Sequence, residues 1–265
     1  MAKAAKARLD VVLTERGLVE SRAKAQALVL AGAVRVAGAR VLKPGEMIQA
    51  DSAVDVDRAE DEFVGRGAGK LLAALKRFDI AVEGRTALDV GASTGGFTEV
   101  LLRGGATRVY ALDVGYGQLA WRLRTDPRVT VMERTNIRHL TELPEPVSLA
   151  SVDVSFISLR LVLPVLSRIL TPSAGVITLI KPQFEAGKEA VGRTGVVRSP
   201  AVHRQVLERV LEHAVSEGWG VRGVMPSPVI GPAGNREFLA HLERPATVLA
   251  LEPQIEAAME EAAAG

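Results

Sequence analysis

At 265 residues, 48% hydrophobic and 24% charged, the chain has the composition of a soluble globular protein with room for one large domain and one small one. It holds no cysteine, which excludes disulfides, thiolate metal sites and any cysteine nucleophile, and suits a reducing cytoplasm. The net charge of +2 is uneven: residues 1–50 carry nine Lys/Arg against four Asp/Glu, a net of +5, which leaves −3 for the remainder, and a basic segment on a near-neutral body is the footprint of a nucleic-acid docking module.

Lys3, Lys6 and Arg8 open the chain without the apolar stretch of a signal peptide. Leu9, Val12 and Leu13 then form the i, i+3, i+4 stripe of a short helix ending near Gly17. Ser21 stands where an N-cap belongs, ahead of Ala23, Ala27, Leu28 and Leu30, and Gly32 closes this second helix. Val34 and Val36 alternate with Arg35, Gly38 permits a turn, Lys43-Pro44-Gly45-Glu46 makes another, and Val54 and Val56 alternate with acids. The order predicts a small α+β domain over residues 1–57. Arg8, Arg22 and Lys24 are its candidates for phosphate contacts, against the alternative of solvated surface charge. Residues 58–69, charged as far as Glu62 and loosened by Gly65, Gly67 and Gly69, read as a linker.

From Lys70 to the end, helices alternate with buried strands. The strands are expected at Thr86–Val90, Arg108–Asp113, Val129–Glu133, Ser151–Val154, Val176–Lys181, Val221–Pro226 and Glu237–Leu242, and the clearest helices at Phe97–Arg103, Leu159–Leu170 and Ala201–Glu217. Parallel strands separated by helices imply an α/β fold: a Rossmann-like, seven-stranded, doubly wound sheet over residues 70–265. Ala257–Gly265 reads as a frayed helix. No uncharged apolar run approaches the roughly 18 residues a membrane span needs.

The first strand of this region runs into Gly91-Ala92-Ser93-Thr94-Gly95-Gly96 and then Phe97, the strand-to-helix turn on which a ligand can approach backbone unhindered by Cβ atoms. Asp113, about 20 residues on at the next strand end, is placed to bind the hydroxyls of an adenosyl ribose. The turn lacks the second glycine of a G-x-G-x-x-G dinucleotide fingerprint. S-adenosylmethionine carries no phosphate but a positive sulfonium, so Asp89, just ahead of the turn, favours this cofactor by suiting its amino-acid end. Asn136, after the following strand, is a candidate for the adenine edge.

Four further polar residues stand where such a sheet presents its carboxyl edge: Lys70 just before the first helix, Asp153 and Lys181 at strand ends, and Glu237 opening the last strand. A lysine after five apolar residues is costly unless paired or functional, and structural ion pairs are the alternative. A ribose 2′-hydroxyl is a weak acid and a weak nucleophile. Two amines can hold its proton and the developing alkoxide while two carboxylates orient them, with Asp153 also bordering the cofactor. No metal is required. Carbon-5 pyrimidine methylation wants the cysteine that is absent, and exocyclic amine methylation a Pro-Pro-aromatic clamp where this chain has Asp153-Val154-Ser155-Phe156.

Arg8-Leu9-Asp10, Ser21-Arg22, Ala31-Gly32-Ala33-Val34 and Lys43-Pro44-Gly45 resemble the S-four RNA-binding domain. Gly91–Thr98, Asp113–Trp121, Glu133–Asn136, Ser155–Ser158, Lys181–Glu185 and Gly231–Glu237 resemble the catalytic domain of the TlyA family, the haemolysin A-like rRNA methyltransferases. The resemblance implies an FtsJ-like fold and a Lys-Asp-Lys-Glu tetrad falling on Lys70, Asp153, Lys181 and Glu237. It further implies cytidine 2′-O-methylation of 23S rRNA, with 16S rRNA as a second substrate of longer members, which the helical C-terminus here resembles, and a link to capreomycin sensitivity in mycobacterial relatives. The expected partners are ribosomal RNA or ribosomal subunits, with no membrane and a monomeric, cytoplasmic chain. At Asp61-Glu62-Phe63-Val64 the sequence departs from the Arg-Ala-Trp-Val of some mycobacterial members. An RNA-binding assembly factor without catalysis, a membrane-active haemolysin and a nicotinamide dehydrogenase are the rival readings; 4% aromatics and no span speak against the second.

Overall fold

The computed structural model describes residues 6–19, 21–30, 32–56, 63–187, 189–192, 194–246 and 250–264. The chain divides into one unit of residues 1–62 with 120–122 and a second of 63–119 with 123–265.

In the first unit a strand unforeseen from the pattern, β1 (Lys6–Arg8), pairs antiparallel with β4 (Met47–Gln49). Helices α1 (Leu9–Glu15) and α2 (Arg22–Leu30) follow β1, and β2 (Val34–Val36) lies between β3 (Ala39–Arg40) and β5 (Val54–Val56). The Leu9, Val12 and Leu13 stripe is buried as its spacing requires, against Ala25, Val29, Val34 and Ile48. Ser21 does cap α2, its Oγ accepting the Lys24 amide at 3.2 Å, but the helix buries Ala25 and Val29 and leaves Leu30 exposed. Ala31 lies outside the described residues.

Asp10 changes the reading of the basic residues. Its fully buried carboxylate accepts hydrogen bonds from Arg8 (2.9 and 3.0 Å), Arg22 (3.0 Å) and Gln26 (2.9 Å). The Arg8 bonds, ahead of those from Gln26 and Arg22, hold the carboxyl well below the ordinary carboxylate range despite burial. Arg8 and Arg22 are therefore ion-paired within the fold rather than wholly committed to an outside phosphate, although both remain about half exposed.

The second unit carries the seven-stranded sheet. Its strands are β6 (Thr86–Val90), β7 (Arg108–Leu112), β8 (Val129–Met132), β9 (Leu149–Val152), β10 (Gly175–Ile180), β11 (Gly220–Pro226) and β12 (Phe238–Glu243), in the spatial order β11-β12-β10-β9-β6-β7-β8. β6 to β10 are parallel, whereas β12 runs antiparallel to both β10 and β11. The seven-stranded, doubly wound sheet is as expected, and its one antiparallel strand has a simple reason. The segment from β11 to β12 contains only one short 3-10 turn, too little for the helical crossover that parallel strands need.

Helix α3 (Ala68–Arg77) precedes β6, α4 (Gly96–Arg103) follows it, and α5 (Trp121–Arg124) follows β7. Lys70 thus lies inside the first turn of α3, not ahead of it. The expected helix over 159–170 is a 3-10 turn, Leu159–Leu161, followed by α6 (Leu163–Ile169), and α7 (Pro182–Glu185) and α8 (Pro200–Ser216) come after β10. The last helix, α9 (Leu251–Ala264), is not frayed: Ile255 and Ala258 are each 1% exposed and join the main core with Val206, Leu211, Val221 and Leu242. The alanine-rich composition hid that stripe, because alanine buries a helix face without announcing it.

Candidate active site

The turn after β6 is shaped by two glycines in the left-handed region, Gly91 (φ 86°) and Gly95 (φ 99°). A Cβ on Gly91 would collide with the Asp153 carbonyl, and one on Gly95 would lie 2.8 Å from Leu119 Cδ1. The glycines let β6 pass close to the end of β9 and let α4 start with its amides facing outward. Asp113, just past β7, accepts the Ser93 amide at 2.8 Å and the Gly115 amide at 2.7 Å, tying the turn to its neighbour. A cleft of about 290 Å³ opens over this turn, lined by Gly91–Thr94, Gly96 and Phe97 together with Gly65, Gly67, Lys70, Asp153 and Lys181. The turn, with Asp113 bonded to it, and three members of the tetrad are thereby brought to one edge of the sheet, although Asp113 is not itself among the residues lining the cleft.

Each lysine is paired. Lys70 Nζ donates to Glu237 Oε2 at 2.7 Å, and Lys181 Nζ lies 2.5 Å from Asp153 Oδ1 and 3.0 Å from Ser155 Oγ. The antiparallel strand makes the second carboxylate available: Ile180 pairs with Phe238, so Lys181 and Glu237 emerge at the same edge although one follows its strand and the other precedes it. Lys70, Lys181 and Glu237 are 6%, 9% and 1% exposed, and amines so placed are tolerated only with partners of this quality.

Asp89 and Asn136 are placed differently from their expected roles. Asp89 is fully buried beneath the turn, its carboxylate accepting Thr98 Oγ1 at 2.6 Å and Ser151 Oγ at 3.0 Å, and it does not line the cleft. Burial pushes its carboxyl up to about 7. Because that value lies above the ordinary ~3.9 of an unfolded chain, the native state retains a proton between about pH 4 and pH 7 that the unfolded state loses. Stability therefore falls by about 1.4 kcal/mol per pH unit as pH rises through this window, and Asp89→Asn flattens that slope in thermal melts. An identical slope in the variant would show that another group titrates. Asn136 caps the short turn Ile137–His139, its Oδ1 accepting the Arg138 amide at 3.1 Å, so its oxygen is already engaged.

Residues 58–62 of the expected linker, with Asp61 and Glu62, lie outside the described residues, as does residue 57 before it. Phe63 and Val64 belong to the second unit and are tied to α4: the Arg103 guanidinium lies 4.3 Å over the Phe63 ring and the Val64 amide donates to Glu99 Oε2 at 2.8 Å.

Three residues were quoted in the sequence reading only as parts of motifs and were given no role of their own. Gln183 Nε2 donates to Glu237 Oε1 at 3.0 Å, fixing the carboxylate that holds Lys70, and Ser155 Oγ accepts from Lys181. Phe156 is 89% exposed in the left-handed region (φ 62°), 4.9 Å from the Phe184 ring. A bulky residue in that conformation is strained and is retained only where its surroundings impose it. Here Glu185 does so: it accepts Ser158 Oγ and the Leu159 amide, both at 2.7 Å, and fastens the Ser155–Ser158 loop to α7. An aromatic three residues after a strand-end acid was the available signal.

Residues 63–244 match the FtsJ-like methyltransferase family and residues 7–54 match the S4 domain. The 16S/23S rRNA (cytidine-2′-O)-methyltransferase TlyA of Mycobacterium tuberculosis is 49% identical over 244 residues, 90% of either chain. Hemolysin A of Brachyspira hyodysenteriae is 38% identical over 240 residues, covering 88% of this chain and 98% of its own. A solved Streptococcus thermophilus structure, described as a candidate haemolysin, matches with a TM-score of 0.72 at 43% identity, over 99% of this chain and 98% of that one. Among the described residues no helix is long and apolar enough to cross a membrane. With an S4 domain ahead of an FtsJ-like domain, and this degree of identity along nearly its whole length, the chain belongs to the TlyA family of FtsJ-like RNA methyltransferases.

Proposed function

We propose that the chain transfers a methyl group from S-adenosylmethionine to the ribose 2′-hydroxyl of cytidine in ribosomal RNA, in 23S and also in 16S rRNA, acting on ribosomal RNA or subunits in the cytoplasm. The observation that carries this reading is the convergence of Lys70, Asp153 and Lys181 on the glycine-turn cleft, with Glu237 behind Lys70. The reaction is the one named for the Mycobacterium tuberculosis relative.

The cleft suits the cofactor by its donor set. Gly91, Ala92, Ser93, Thr94, Gly95, Gly96 and Phe97 offer bare backbone, and each Asp113 oxygen keeps a lone pair beyond its bond to an amide, enough to accept a ribose hydroxyl. Both lysines beside the turn are neutralised by carboxylates, and the other cation of the lining, Arg66, is exposed to solvent, so the charges nearest the turn do not repel a positive sulfonium. The bound cofactor supplies an electrophilic methyl group. Lys181, steadied by Asp153 and Ser155, holds the 2′-oxygen in line, and the hydroxyl proton is taken up across the Lys181–Asp153 pair. Lys70, fixed by Glu237 and through it by Gln183, adds positive potential where the alkoxide develops.

Phe156 provides a face for the target base once the nucleotide is turned out of its helix, since an exposed ring beside the chemistry stacks any base. Phe156→Ala is expected to lower kcat/KM for RNA by about 10- to 100-fold, the worth of one base–aromatic stack, with cofactor affinity unchanged and activity retained in Phe156→Tyr. An RNA-independent loss of cofactor binding would contradict this role. Arg8, Arg22 and Lys24 of the first unit are proposed to meet RNA phosphates, the first two already oriented by Asp10. The function itself is tested by mapping ribose methylation on both rRNAs from cells with and without the protein. One cytidine in each rRNA should lose its mark, and an unchanged map overturns the proposal.

A further inference from the structure

A second cavity, of about 570 Å³, opens at the other edge of the same sheet, where β6 and β10 begin and β12 ends. The six residues of β10, Gly175–Ile180, separate it from the tetrad by about 17 Å at the rise of an extended strand. Four arginines line it, Arg77, Arg85, Arg222 and Arg244, against two carboxylates, Asp79 and Glu243. Three of the four have partners. Arg222 Nε reaches Glu243 at 2.9 Å, Arg244 donates to the Ser167 and Glu217 carbonyls at 2.8 and 2.6 Å, and Arg77 lies 3.8 Å from Glu261. Among the described residues the Arg85 side chain has none.

His241 forms the inner wall. It is 9% exposed, its ring stacks obliquely on Phe78 at 5.7 Å, and neither ring nitrogen has a hydrogen-bond partner among the described residues. Burial first, then the charges of Arg222 and Arg85, hold its titration down to about 4, so the ring is a neutral donor in a positive field. The cavity floor is open because β10 starts with a glycine: a Cβ on Gly175 would meet nothing nearer than His241 Nε2, at 3.7 Å. A half-buried guanidinium with no partner among the described residues and a buried, unpartnered imidazole leave donors free on one cavity wall, and an anion can accept from both.

We propose that this cavity binds a phosphate group, borne by a free nucleotide or by an RNA backbone, between the Arg85 and Arg222 guanidiniums and the His241 N–H. Two forked guanidiniums and one imidazole offer donors in three directions, which suits a tetrahedral oxyanion; a carboxylate would be saturated by one guanidinium. The volume is that of a small-ligand site, and Phe78 supplies an apolar face beside the charges. The site does not depend on the tetrad, so its test is independent of the methyl-transfer reaction.

The full-length protein has four histidines, which makes the imidazole C2–H signals assignable by NMR. Their pH titrations are compared without additive and with inorganic phosphate, cytidine 5′-monophosphate or a short single-stranded RNA. The His241 midpoint is expected to rise by about one pH unit with phosphate or the mononucleotide, while those of His139 and His213 stay fixed. Arg85→Gln and Arg222→Gln should each abolish the rise. A response to RNA alone assigns the phosphodiester, and a response to the small ligands assigns a free phosphomonoester. A His241 signal indifferent to all three ligands, or a rise that survives Arg85→Gln, overturns the proposal, and the wild-type titration decides even if a variant fails to fold.

Discussion

Lys181→Met should lower kcat for rRNA methylation by about a thousandfold, roughly 4 kcal/mol of transition-state stabilisation, while calorimetry finds cofactor affinity within a few-fold of wild type. The separation follows from the geometry. Lys181 stands at the cleft wall on the Asp153 and Ser155 oxygens, and the cofactor turn is built from β6, β7 and α4 without it. Fold loss is not expected, because the Asp153 carboxylate left behind is 21% exposed and water can take the place of the amine. Lys181→Arg should not rescue, since a planar fork cannot enter a space shaped for a tetrahedral ammonium. A variant retaining more than about a tenth of the rate would remove Lys181 from the chemistry and leave an ion pair of structural value only.

Gly91→Ala is expected to act on the other half of the reaction, weakening cofactor binding by about a hundredfold or more and lowering Tm by several degrees. Two costs coincide there. A non-glycine residue at φ 86° is strained by about 1–2 kcal/mol, and its Cβ drives into the Asp153 carbonyl, displacing a tetrad residue along with the turn. Gly84→Ala separates them: Gly84 has φ 71° but nothing within 4 Å of a Cβ, so it should show the strain alone, with cofactor binding unaffected. Equal effects at the two positions would mean that collision with Asp153 plays no part.

Strand and helix positions in the second unit were legible because buried parallel strands are short apolar runs and α8 carries a full amphipathic stripe. The turn and the tetrad were legible because glycines and charges are conspicuous next to such runs. Strand direction was not, since residues of β12 are the same read either way and only the brevity of the segment before it reverses the strand. Asp89 shows a second limit: an acid two residues before a glycine turn can point into the ligand or into the interior, and Thr98 and Ser151 decide for the interior. The same holds for Asp10, whose three partners tie two apparently free, half-exposed arginines to one buried carboxylate.

The antiparallel placement of β12 also sets an order of events during synthesis. β11 is an edge strand whose sole neighbour in the sheet, among the described residues, is β12, and β12 must enter between it and β10. A chain emerging from the ribosome can therefore assemble β6 to β10, with the cofactor turn and three of the four charged groups, while β11 waits without a neighbour. Glu237, the carboxylate that accepts from Lys70 in the folded protein, arrives only with the last strand. On the proposed function, the glycine turn is thus formed before the four charged groups are complete, and RNA modification waits for the sheet to close.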